Sequence, residues 1–142
     1  MAAPTAATPI HDSADDSADE RFEDYFRDGE RRVIARLIDE AGRHRSVIAT
    51  GGGAFCNAET RALILEKAIA VWLDSDIDTL VQRTSRKENR PLLQSGDPRE
   101  ILTRLRDERR PAYAQAPVQV ISSDTPHAKT ITRVLKGIAA WL

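Results

Sequence analysis

Residues 47–55 read "VIATGGGAF", a short apolar run that ends in three consecutive glycines. Glycine inside an element costs about 0.5–1 kcal/mol relative to alanine, so three in a row give up packing and backbone order together. Bare backbone at the end of a strand has a chemical use. With no side chains in the way a ligand can touch the main chain, and the N–H groups can face an anion or a hydroxyl. A turn without a ligand would need one glycine, and three favour binding. A second stretch with chemical possibilities runs from residue 83 to 97, "RTSRKENRPLLQSGD". It is polar, basic and aperiodic, and Pro91 and Gly96 interrupt it, so it reads as a loop long enough to carry a function. Within it, Lys87 and Glu88 read as solvated charges. Cys56 reads as a small buried hydrophobe and His127 as an exposed first-turn residue, and no metal ligands are assigned.

The elements that would position these stretches alternate. Phe22, Phe26, Val33, Ile34, Leu37 and Ile38 recur at helical spacing over 21–41, with Gly42 where a C-terminal cap belongs. Residues 46–50 are short, β-branched and bounded by glycines, as a buried strand would be. Asn57 caps a second helix whose inner face is Ala58, Ala62, Leu65 and Leu63. Residues 69–73 form a continuous apolar strand of the kind found in parallel sheets covered on both faces. Asp76 opens a helix carrying Ile77, Leu80 and Val81. Asp97-Pro98-Arg99-Glu100 is a strong helix start, with an acid at the cap, proline at the first helical position and glutamate three residues after the cap. Residues 118–121 form another strand, and Thr125-Pro126 starts a last helix with Ile131, Val134, Leu135 and Ile138 on one face. Trp72 and Trp141 read as core anchors. This order spells an α/β fold with a parallel sheet and right-handed crossovers. Ligands gather at the C-terminal ends of such strands, where "VIATGGGAF" sits.

At 142 residues the chain is about one domain. Only 5% of residues are aromatic and 30% are charged, so the core is built of Leu, Ile, Val and Ala. A lone cysteine suits a reducing compartment. No apolar run approaches membrane-spanning length and the opening residues lack the order of a signal peptide, so the chain reads as cytoplasmic, with no membrane partner. The acids Asp12, Asp15, Asp16, Asp19 and Glu20 stand in a segment without Lys or Arg, and residues 1–20 read as a disordered acidic tail ahead of a domain at 21–142. The rest holds 21 basic against 17 acidic groups, about +4, which favours an anionic ligand without demanding nucleic acid.

"FRDGERRVIARL", "VIATGGGAF", "VWLDSDIDTLVQRT", "RPLL" and "RRPAYAQA" occur in an order and spacing that resemble shikimate kinase, a small P-loop kinase that moves the terminal phosphoryl group of ATP to the 3-hydroxyl of shikimate. The likeness runs from about residue 22 to 142 and implies a three-layer α/β fold, a cytoplasmic and usually monomeric enzyme of aromatic biosynthesis, and ATP with Mg2+ as cofactors. It also assigns roles. Arg27 and Glu30 match a first-helix pair in which the arginine forks onto the substrate carboxylate and the glutamate orients it. Gly51, Gly52 and Gly53 match the triple glycine that lies against shikimate, with Gly52 as the direct contact. Arg109 of Arg-x-Pro-x-Tyr matches a second carboxylate-binding arginine. The 83–97 loop matches the lid, in which Arg83 lies along the adenine face and Arg90 reaches the phosphates and offsets charge in the transition state.

Against the resemblance stands a missing motif. P-loop kinases cradle phosphates with G-x-x-x-x-G-K-S/T, and these residues contain no Gly-Lys dipeptide. The family's first two strands and the P-loop would precede Phe22, where the acidic segment stands, so the sequence reads as truncated at its N-terminus. Asp12 and Asp15 resemble the family's substrate-binding acid only superficially, and the role is not transferred. The resemblance orders the sheet 2-3-1-4-5, which puts the absent first strand between residues 46–50 and 69–73. Unpaired strand edges cost about 1–3 kcal/mol per buried group, against a net stability of roughly 5–15 kcal/mol. Two function classes follow: a shikimate kinase, or a remnant that binds a small carboxylate without catalysis. A gluconate-type kinase is a lesser alternative, opposed by Arg27, Arg109 and the Arg-x-Pro-x-Tyr motif.

Overall fold

The computed structural model describes residues 13–42, 44–85, 96–123 and 125–142. In chain order the elements are α1 (Ser13–Ala41), a short 3-10 turn (Ala54–Cys56), α2 (Ala58–Lys67), β1 (Val71–Asp74), α3 (Ile77–Ser85), α4 (Pro98–Tyr113), β2 (Val118–Ile121) and α5 (His127–Trp141). The fold is α/β, as the alternation predicts. β1 and β2 pair in parallel, with Val71 opposite Val118 and Asp74 opposite Ile121.

Register decides what each face of this sheet meets. Val118 and Val120 are buried on the face covered by α5, where Gly137 lets the helix come so close that a Cβ there would stand 2.8 Å from Val118 Cγ1. Trp72 and Asp74 lie on the other face, where Tyr113 and Arg106 of α4 meet them. Behind that face sits the core cluster of Ile34 and Ile38 from α1, Ala54, Ile64, Ala70 and Ala116, with Ile48, Phe55, Leu63 and Trp72 packed on it. Helices therefore lie on both faces, and the layers position the glycine turn between α1 and α4.

The helix starts follow from their caps. Asn57 Oδ1 accepts from the Thr60 N–H at 3.0 Å, Asp76 Oδ1 from the Thr79 N–H at 2.8 Å, and Asp97 Oδ1 from the Arg99 N–H at 3.1 Å. Each satisfies a donor that the first helical turn leaves orphaned.

Several expectations change. Residues 46–50 form no strand among the described residues. They have no regular secondary structure, with Ile48 packed on the core cluster and Val47 99% exposed. Among the described residues β1 pairs with β2 alone, so residues 46–50 have no strand beside them. Residues 13–20, read as part of a disordered tail, continue α1 instead. An acid-rich segment is well placed at the positive end of a helix. Among the described side chains of α1, Ile34 and Ile38 are the buried ones, while Phe22, Phe26, Val33 and Leu37 face solvent. On α2 the inner face is Thr60 and Ile64 with Leu63, whereas Ala58, Ala62 and Leu65 are exposed, because α2 packs toward α1 and the 3-10 turn. Ile131 and Leu135 of α5 and Trp141 are also exposed, so Trp141 anchors no core.

An open strand edge beside exposed apolar side chains templates association. The 142 residues alone are expected to self-associate and to melt broadly. A monodisperse monomer with a sharp, reversible melt in calorimetry would contradict this.

Candidate functional site

Two successive turns shape the glycine stretch that follows residues 46–50: the Ala54 N–H donates to Gly51 O at 3.2 Å and the Cys56 N–H to Gly53 O at 3.1 Å. None of the glycines has a positive φ, so glycine is not needed here for a left-handed backbone. What it supplies is room. A Cβ on Gly52 would stand 2.6 Å from Arg109 Nη1 and 3.2 Å from the Tyr113 hydroxyl. A Cβ on Gly53 would run into the Arg27 guanidinium, with Cζ at 2.7 Å and Nη1 at 2.8 Å. One on Gly51 would meet Glu30 Oε1 at 3.4 Å, an ordinary contact.

The three glycines are therefore not equivalent. Gly53→Ala and Gly52→Ala are expected to push Arg27 and Arg109 aside while leaving the melt nearly unchanged, because the displaced atoms are ends of flexible side chains. Affinity for shikimate, the ligand that the resemblance implies, should fall about tenfold or more where a charge-assisted contact is lost. Gly51→Ala should be close to neutral. Equal affinities for all three variants in a titration would contradict the assignment.

Arg27 donates to Glu30 Oε2 at 2.6 Å, one helical turn away, and lies 3.7 Å from Glu23 Oε1. Both members of the close pair are largely buried, at 25% and 19% side-chain exposure, so Glu30 fixes the direction of the guanidinium. The opposite wall comes from α4. Arg109 is half-buried there and pairs with no carboxylate among the described residues, which leaves a cation beside bare glycine. One turn on, Tyr113 donates from its hydroxyl to the Gly52 carbonyl. Burial pushes the Tyr113 phenol above its ordinary pKa, and the nearby Arg109 charge opposes that. Arg61 of α2 braces the turn. Its Nη1 donates to the carbonyls of Phe55 at 3.1 Å and Cys56 at 3.0 Å, and its Nε reaches Gln115 Oε1 at 3.1 Å.

The structure thus brings Arg27, Glu30, Gly51, Gly52, Gly53 and Arg109 to one place. Arg83 stands elsewhere, at the C-terminal ends of β1 and β2. Its guanidinium donates to Ser75 Oγ at 3.3 Å, to Ser122 Oγ at 3.1 Å and to the Ser123 carbonyl at 3.0 Å. Arg90, Lys87 and Glu88 lie outside the described residues. Tyr113 and Arg61 carry no role in the sequence reading. Tyr113 was nonetheless visible there as the last residue of Arg-x-Pro-x-Tyr, four residues after Arg109 and so on the same helix face. Nothing local marks Arg61, whose partners are backbone carbonyls and a glutamine 54 residues away. Cys56 is half-buried, and its Sγ donates weakly to Gly52 O at 3.7 Å.

Comparison with known proteins extends this local pattern to the whole chain. The family model described as "Shikimate kinase" matches residues 8–139. A shikimate kinase of Novosphingobium aromaticivorans is 64% identical over 122 residues, covering 84% of this chain and 63% of that protein. One of Caulobacter vibrioides is 57% identical over 113 residues, covering 80% and 55%, and one of Brucella canis is 44% identical over 141 residues, covering 96% and 69%. The chain spans less than two thirds of the length of the first two relatives. No solved structure matches. A match over nearly every described element, on a chain whose helix pair of arginines closes on a triple glycine, leads to one conclusion: the chain belongs to the shikimate kinase family.

Proposed function

We propose that this chain carries the shikimate-binding part of an ATP-dependent shikimate kinase, acting in the cytoplasm. The observation that carries the reading is the convergence of Arg27 and Arg109 on adjacent, side-chain-free glycines. Two guanidinium groups on either side of exposed backbone suit a small carboxylate that also bears hydroxyls, since each planar fork matches a carboxylate bidentately. Arg27, held by Glu30, and Arg109 grip the carboxylate. The glycine N–H groups face the hydroxyls, and the grip sets the 3-hydroxyl in place for attack.

For ATP the residues present fit in part. The edge donors of Arg83 are spent on Ser75, Ser122 and Ser123, which holds its plane fixed and leaves its face for an adenine ring. For the phosphates and Mg2+ these residues do not fit. The 142 residues contain no G-x-x-x-x-G-K-S/T, and the described residues include no cluster of three His, Cys, Asp or Glu side chains able to hold a metal. Arg90 is the group assigned to the transferring phosphoryl charge.

The test is titration of shikimate into the 142-residue chain by calorimetry. Saturable binding that competes with other small hydroxy acids is expected. Heat no different from dilution would overturn the proposal.

A further inference from the structure

We infer that Tyr113 is a positioning residue of this site, whose hydroxyl fixes the direction in which the Gly52–Gly53 peptide faces. The inference rests on the proposed shikimate site. Tyr113 ends α4, and its ring lies between Phe55 at 6.4 Å and Trp72 at 5.9 Å, both tilted. The ring alone thus joins the glycine turn to β1. The hydroxyl does something separate, because it donates to the carbonyl of a residue with no side chain of its own to hold it.

In a planar trans peptide the carbonyl of one residue and the N–H of the next point in opposite directions. Tying the Gly52 carbonyl to the end of α4 therefore turns the Gly53 N–H away from α4. Gly53 is the glycine against which the Arg27 guanidinium lies, and among the described residues neither the Gly52 nor the Gly53 N–H makes a hydrogen bond. A peptide between two glycines is the easiest in the chain to rotate. The other donor to Gly52 O is Cys56 Sγ at 3.7 Å, a weak hold by comparison. Arg109 and Tyr113 then divide the work of one helix face: the first meets the ligand's charge, and the second aims the backbone that meets its hydroxyls.

Tyr113→Phe separates the hydroxyl from the ring, since phenylalanine keeps the contacts to Phe55 and Trp72. In the full 142-residue chain without ligand, exchange at the hydrogen-bonded amides of the glycine turn, Ala54 and Cys56, is expected to speed up about tenfold, with α5 and β2 amides unchanged. The dissociation constant for shikimate should rise roughly fivefold, the size expected for one neutral hydrogen bond. Unchanged exchange in the glycine turn would overturn the inference, as would faster exchange throughout the chain or failure to fold, either of which would make the hydroxyl a general structural prop. The exchange arm needs no ligand. If the unmodified chain fails to bind shikimate, the proposed function falls while glycine-turn exchange still decides the role of Tyr113.

Discussion

Assayed as they stand, the 142 residues are expected to release no ADP from ATP above background, with or without shikimate. Phosphoryl transfer asks little covalent chemistry of a protein and depends almost wholly on positioning and on neutralising charge. Removing one preorganised donor from a developing oxyanion already costs about 100- to 1,000-fold. The missing motif supplies a row of backbone N–H groups, a lysine and a hydroxyl together, and Arg90 offers one charge in their place. Joining a family-type segment that contains G-x-x-x-x-G-K-S/T ahead of Phe22 is expected to bring turnover that depends on Arg27, Arg90 and Arg109. A coupled assay for ADP distinguishes the cases. Robust turnover by the unmodified chain, abolished by Arg90→Ala, would mean that phosphate is held at a site other than the one the family uses.

Arg27→Ala and Arg109→Ala are each expected to weaken shikimate binding by about 1.5–3 kcal/mol, the value of a charge-assisted hydrogen bond to a carboxylate. The two should differ in their side effects. Arg27 forms a close pair with Glu30, which is 19% exposed, so its removal strands a carboxylate beside the site and repels the ligand. Arg109 has no carboxylate to strand among the described residues. Arg27→Ala should therefore cost more than Arg109→Ala, and adding Glu30→Gln should recover part of the difference. Calorimetric titration of the variants measures this, and an unchanged affinity in either single variant would remove that arginine from the site.

What could be read in the sequence was what short range decides. The caps at Asn57, Asp76 and Asp97 needed only their own first turns, and β1 and β2 announced themselves as apolar runs between turn signals. Residues 46–50 carry the same local signal as β1 but form no ladder, because pairing depends on a neighbour and not on the segment. The triple glycine was legible as a place where backbone is exposed. Its reason was not, since the clash of a Gly53 side chain with Arg27 belongs to the packing of α1 against a turn remote in sequence. The solvent-facing apolar residues of α1 and α5 escaped for a like reason: periodicity marks a face but does not say what covers it.

The register of the strand pair also governs when the fold can form. Ser75 at the end of β1 donates to the Ser122 carbonyl 47 residues later, and every rung of the ladder spans the same interval. Closing such a loop costs about 3 kcal/mol in chain entropy before any rung rewards it. At a synthesis rate of roughly 5–20 residues per second, β1 waits some 2–10 s for its partner to be made. During that interval α3 and α4 are made beside the apolar stretch at 69–73, while its edge toward β2 stays without a ladder. Slower translation between residues 75 and 117 lengthens the wait, so codon choice in that window bears on how much of the chain escapes aggregation.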